Sequence, residues 1–341
     1  MTISEADIGR PAPGGSSAPS VAFDEQHAHE AGFGAYFTTH IAPVLGMVED
    51  ARLAARKTFN FRLLICLMAA IPVVAAGVLF GPSLIPPDYY DVAIGGAFVA
   101  AVGAGSWINR PRTKFLVGFK QEILRPVATF FNLNFDANGR DLCASFGDTG
   151  ILHSHDERSH EDGFWGEYQG VELAFEEVKL IKVTRTKRGT RRTTAFDGVA
   201  VVLRMNKRFN GHTIIKEDLG TALNWIRDKT SKLETVQLED PRFEDRFEVF
   251  SSDQVEARYL LTPAFMERLL SVADAFDKAR LRACFRDDRL YLLIPYGQNL
   301  FEAASLHKTV LETDSLRKVL RQIQELRGTV EDLKLNERLG L

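Results

Sequence analysis

Hydrophobic positions change their spacing three times along the chain, and each change predicts a different structure. In the first block, Phe33 to Thr58, apolar residues recur as Phe37, Ile41, Val44, Val48, Ala51 and Ala55. Steps of four and three put them on one face of a helix. Pro43 inside the block predicts a kink or a later start. The second block has no polar face at all. No charge occurs from Leu63 to Pro87, and Val92 to Ile108 repeats that texture. A bilayer core needs about 20 apolar residues in a helix, so residues 63–108 read as a transmembrane helical hairpin. Pro72 lies mid-run, which membrane helices tolerate. Gly95, Gly96, Gly103 and Gly105 make the second run suited to close helix packing. Tyr89, Tyr90 and Trp107 fall at the expected water boundaries.

After the second run, Lys114 to Asn132 reads as a helix bent or ended by Pro126. The period then drops to two. Leu142 to Phe146, Glu167 to Phe175, Glu177 to Thr186 and Thr193 to Met205 read as strands, with a hairpin turning at Gly189. Phe209 to His212 reads as a turn before Thr213, Ile214 and Ile215. These predict an antiparallel sheet over residues 142–215. Lys216 to Lys232 reads as a helix, and a new block opens near Val236. Phe247 to Phe250 is a strand. Ser251 and Gln254 have capping-box spacing ahead of a helix at Asp253 to Leu261. Thr262 and Pro263 cap another helix, which buries Phe265, Leu269, Val272 and Phe276. Arg280 to Arg286 and Arg289 to Pro295 pair around Asp287 and Asp288.

The C-terminal pattern is the most regular. Leu316, Val319, Ile323, Leu326, Val330 and Leu333 form an a/d seam on a helix predicted over residues 314–337. The seam fits two uses. One is docking on the β domain. The other is homo-oligomer formation, with the Phe37 to Ala55 stripe as a further surface for it to meet.

The fold class is therefore α+β. Residues 1–32 form a disordered tail, rich in Pro, Gly, Ser and Ala over its first part; residues 33–62 form a juxtamembrane helix and 63–108 the hairpin. Residues 109–341 form one domain of antiparallel sheet, packed helices and the C-terminal amphipathic helix, with a subdivision allowed near residue 236.

Charge orients this arrangement. Arg52, Arg56, Lys57 and Arg62 precede the first apolar run, and Arg110, Arg112, Lys114 and Lys120 follow the second. The loop between them carries only Asp88 and Asp91. Cationic flanks stay in the cytoplasm, so both termini and the large domain are expected there, with the chain multi-pass in the cell inner membrane. No signal peptide is expected, because Glu5 and Asp7 stand where a positive region belongs. A net charge of −3 offers no general attraction to nucleic acid. Cys66, Cys143 and Cys284 are too scattered for a disulfide framework or a metal motif.

Two clusters carry candidate chemistry. His153, His155 and His160 fall in one short polar run, and alternating histidines on a strand present metal ligands to one side. A solvated loop explains the same residues. Lys187, Arg188, Arg191 and Arg192 form a basic hairpin tip that suits anionic lipid head groups or a protein partner, or simply a solubilising turn. No phosphate-binding loop, dinucleotide fingerprint, nucleophile elbow or zinc-protease motif occurs, so no catalytic residue and no cofactor is assigned.

The run Val236 to Leu269 (VQLEDPRFEDRFEVFSSDQVEARYLLTPAFMERL) resembles the signature block of a bacterial family known only as a domain of unknown function, DUF3137. Four other features fit the resemblance: the I-A-P-x-L segment at Ile41 to Leu45, the paired apolar runs, Gly163 to Tyr168 (GFWGEY), and the F-D-G at Phe196 to Gly198. It implies a bacterial two-span membrane protein with a cytoplasmic α+β domain and transfers no catalytic residues. The leading expectation is a non-enzymatic protein whose domain binds a protein or lipid partner. The rivals are a membrane-tethered metal-dependent enzyme using His153 to His160, and an oligomeric scaffold.

Overall fold

The computed structural model describes residues 21–84, 86–186, 189–217, 233–276, 280–296, 300–302 and 304–333. The first part of the expected tail (1–20), most of the helix expected at 216–232 and the end of the C-terminal helix lie outside these residues, as do Lys187 and Arg188.

Two long helices dominate the N-terminal part. A short helix α1 (Phe33–His40) ends just before Pro43, and α2 (Ala42–Leu84) starts there, so the proline occupies the first turn, where its missing N–H costs nothing. The 43 residues of α2 span about 65 Å at 1.5 Å per residue. Helix α3 (Tyr90–Phe119) returns antiparallel and carries Pro111 within it. Over their apolar windows neither helix is buried at all: Phe98 and Val99 are each 70% exposed. Both are long and apolar enough to cross a membrane.

At its C-terminal end α3 widens into a π-turn at Lys120–Leu124, and α4 (Arg125–Phe130) follows. The cause is Pro126. It lacks an N–H for the Glu122 carbonyl and its ring crowds that turn, and one wider turn relieves both conflicts.

The described residues that follow form one nine-stranded antiparallel sheet of order β1-β2-β3-β4-β9-β8-β5-β7-β6 with its covering helices. The strands are β1 (Leu133–Asp136), β2 (Glu157–Tyr168), β3 (Val171–Thr186), β4 (Gly189–Arg204), β5 (Thr213–Glu217), β6 (Glu234–Val236), β7 (Phe247–Ser251), β8 (Arg282–Arg286) and β9 (Arg289–Pro295). The two strand-rich blocks flanking residue 236 interleave in this sheet: β5 pairs with β7 and β8, and β4 pairs with β9, where Gly198 stands opposite Pro295. A Cβ at Gly198 would lie 2.2 Å from the Ile294 carbonyl oxygen, so this contact requires glycine.

Alternation decides the two faces of the central strands. Val199, Val201, Leu203, Leu290, Leu292 and Ile294 point to the main core, shared with the helices. Ala200, Val202, Tyr291 and Leu293 point to a smaller core closed by Cys143, Phe146 and Ile151. The main core is covered by α1, the domain-proximal parts of α2 and α3, α4, and the later helices α5 (Pro241–Glu244), α6 (Gln254–Leu260), α7 (Pro263–Ala275) and α8 (Asp314–Asp332).

Several sequence expectations need correction. Leu142–Phe146 is a 3-10 turn rather than a strand, because it lies across the sheet as a lid on the smaller core. The strand expected at Glu167 to Phe175 is cut by a tight turn, with Gln169 and Gly170 both at positive φ (50° and 80°). That geometry matches the sheet's twist and joins β2 to β3. Helix α6 is capped by Asp253, which accepts from the Val255 and Glu256 N–H groups, while Ser251 bonds to Thr213 inside the sheet. Val21 to Gly32, assigned to the tail, is packed: Phe23 meets the Phe33 ring edge-on at 4.9 Å, and buried Glu30 pairs with Arg317 of α8. The a/d seam on α8 is buried within this chain at every position from Leu316 to Leu333, so it is docked and is not a free surface for a homo-oligomer.

Candidate functional site

The densest charged cluster forms where α3 meets the sheet. Strand β2 carries a bulge between Glu161 and Phe164, and Asp162 sits in it at φ 52°. The bulge turns Asp162 out of the alternation and into the interior. There its carboxylate lies 2.6 Å from Lys120 Nζ, on the π-turn of the α3 extension. Lys120 also reaches Glu161 at 3.0 Å. Among the described residues, Asp162 Oδ1 has no hydrogen-bond partner.

Glu177 of β3 stands directly opposite Glu161 in the ladder and is itself buried. Burial pushes its carboxyl up to about 8, helped by the negative charges of Glu161 and Asp162. Burial likewise raises Asp162, to about 7, against the pull of Lys120. Two buried acids and the half-exposed Glu161 thus surround one ammonium, and Glu302 adds a further negative charge nearby. The adjoining cavity is about 410 Å³, lined by Lys120, His160, Glu161, Phe301 and Glu302 among others. Perturbed carboxyls beside a cavity are a recognised mark of a functional place. No local pattern in the sequence marks this cluster: within one strand Glu161 is exposed and its neighbour Asp162 is buried.

The first long helix, α2, pins to the domain too. Arg52 is buried; it bonds Glu49 at 2.6 Å and donates to the Leu306 carbonyl at 2.7 Å. Glu49 also accepts from the Val310 N–H. Arg52 therefore serves this joint, although the sequence counts it as a flanking cation.

Between these joints and the bare apolar bands, α2 and α3 stand apart around a groove of about 630 Å³. Its walls carry Ala51, Ala54 and Ala55 from one helix and Phe115, Gly118 and Phe119 from the other. Arg62, Arg110 and Lys114 stand on its lining where the apolar bands begin. Arg62 stacks over Trp107 at 4.7 Å and donates to its carbonyl at 2.6 Å, linking the helices at that level. A separate cleft of about 700 Å³ lies over β2, β3 and β4, and most of its charged groups are engaged: Arg204 pairs with Glu172 and Asp288, Asp141 Oδ2 with Arg158, and Arg140 stacks on Trp165.

The histidines expected to bind metal are not gathered. His153 stacks on Phe196, and burial lowers it to about 4. His155 bonds the His153 carbonyl. His160 lies on β2, 3.9 Å from Asp141. Among the described residues, no group of three or more His, Cys, Asp or Glu is placed to hold a metal. Strand β2 starts at Glu157 and carries only His160 into the sheet, which separates it from the other two. Of the basic tip, Arg191 and Arg192 are exposed on β4, and Arg192 pairs with Glu157 at 3.0 Å.

Residues 194–335 match the model of the family described as protein of unknown function (DUF3137). No curated protein matches the chain. Among solved structures, the crystal structure of the mycobacterial trehalose monomycolate transport factor A, TtfA, is similar with a TM-score of 0.33 and 9% identity, over 60% of this chain and 91% of that one.

Proposed function

We propose that the chain is a non-enzymatic protein of the bacterial inner membrane, with both termini in the cytoplasm, that holds its α+β domain at the inner leaflet to bind a partner there. The observation that carries this reading is the contrast along α2 and α3. Their outer parts are apolar and bare on every side, while their inner parts are bonded into the domain through Arg52 and Lys120. Bare apolar helices of this length are costly in water and stable in lipid. The joints make the anchor stiff, so the sheet keeps one orientation to the leaflet. The cationic residues at the inner ends and the acidic loop between the helices support the orientation.

The test is extraction and topology of the full chain. The protein is expected to stay with membranes in alkaline carbonate. Asp88→Cys is expected to react with an impermeant maleimide in intact cells, and Asp287→Cys only after lysis. Release by carbonate, or labelling of both sites in intact cells, would overturn the reading.

A further inference from the structure

The groove between α2 and α3 has a shape and charge pattern that no described part of this chain fills. Its walls repeat at helical spacing: Ala51, Ala54, Ala55 and Thr58 on α2, facing Phe115, Gly118 and Phe119 on α3. The amphipathic stripe in the sequence suggests a packed seam here. Instead Ala51 is exposed, and at Gly118 nothing lies within 4 Å of where a Cβ would stand. Small side chains hold the space open.

One end of the groove runs into the bare apolar bands, beginning with Phe61, which is 62% exposed. Arg62 from α2 and Arg110 and Lys114 from α3 stand at that end. Arg110 and Lys114 are one helical turn apart on a single face. Neither has an ion-pair partner among the described residues, and the groove lining carries three cations against the single acid Glu122. An apolar wall beneath uncompensated cations, at the level where a leaflet's phosphates would lie, complements a molecule with a negative head and an apolar chain. Basic pockets between membrane helices on the cytoplasmic side take anionic lipid head groups for this reason.

We propose that this groove binds one anionic phospholipid of the inner leaflet. Arg110, Lys114 and the free edge of Arg62 hold the phosphate, and an acyl chain lies against the Ala54, Ala55 and Gly118 walls. The inference rests on the membrane-anchored reading and gives that anchor a specific ligand. The bound lipid fills the space between the helices, bracing the joint to the domain.

The experiment uses the purified full chain in detergent, stripped of lipid and titrated with dioleoyl-phosphatidylglycerol or dioleoyl-phosphatidylcholine, with native mass spectrometry as the readout. One phosphatidylglycerol per chain is expected, bound at least about tenfold more tightly than phosphatidylcholine. Arg110→Gln with Lys114→Gln is expected to reduce that affinity by about twentyfold or more, at roughly fivefold per charge. Gly118→Leu keeps every cation but fills the groove, and should lose the lipid as well. Both variants must keep the helical circular dichroism of the parent. Equal binding of the two lipids, or undiminished binding by Gly118→Leu, would overturn the proposal. Carbonate extraction of the same proteins separates the two readings. A chain that stays in the membrane without lipid preference sinks the groove alone, whereas release by carbonate sinks the anchor.

Discussion

Lys120 and Asp162 meet at 2.6 Å, one on the continuation of an apolar helix and the other in the bulge of a strand 42 residues away. The pair ties the part of the chain suited to lipid to the part folded as a sheet. Asp162 is completely buried, so its charge depends on this one ammonium. Replacing Lys120 by Met is expected to destabilise the domain by about 3–5 kcal/mol, the usual result of stranding one member of a buried pair. Lys120→Met with Asp162→Asn should cost clearly less than the two single changes added together. Thermal unfolding of the four proteins, followed by circular dichroism, measures this.

The acids at this joint make stability depend on pH with a definite sign. Asp162 is raised from 3.8 to about 7 and Glu177 from 4.5 to about 8. A carboxyl raised on folding favours the folded state while protonated. Its contribution is complete below the unfolded value and is lost as pH rises through the folded one. The domain should therefore lose stability between about pH 5 and pH 8, and Glu177→Gln should flatten that fall. His153, lowered from 6.5 to about 4, acts in the opposite sense, its contribution being lost as pH falls through that range. His153→Phe should remove the acid-side loss and leave the alkaline side unchanged. Melting temperatures across the range, in each variant, separate the two arms.

The α8 seam gives a prediction in which stability and assembly part company. Leu326 is buried against the chain's own core, so Leu326→Ala should cost about 2–5 kcal/mol. Because the seam faces inward, the mass of the detergent-solubilised protein in sedimentation should be the same for Leu326→Ala and the parent.

At the join between β4 and β9, Gly198→Ala places a methyl group 2.2 Å from the Ile294 carbonyl oxygen. Backbone must move to admit it. The expected loss is at the upper end of the 1–3 kcal/mol typical of overpacking, about 3 kcal/mol. Accelerated amide exchange in Val199 to Leu203 would locate the damage. Gly328→Ala, at a half-buried position of α8 with nothing within 4 Å of the added methyl, should instead stabilise by about 1 kcal/mol.

Periodicity by itself determined the apolar helices, the antiparallel hairpins at β3–β4 and β8–β9, the Thr262 cap and the apolar stripe of α8, while burial of that stripe came from the fold. Each follows from residues a few positions apart, and local geometry decides which way those side chains point. Tertiary structure decided everything that depends on which distant segments meet. It turned Leu142 to Phe146 into a lid, because the smaller core needed closing on its far side. It broke a presumed strand at Gln169 and Gly170, where two positive φ angles outweighed an apparently continuous alternation. It set His153 against Phe196, turned His155 to the His153 carbonyl and left His160 on β2, so the three histidines do not converge on one point. The Lys120, Asp162 and Glu177 cluster has no mark in local pattern: a bulge and a proline-driven π-turn, remote from each other along the chain, had to face one another first. Burial and charge pairing are properties of the assembled fold, and there they settle where ionisable groups act.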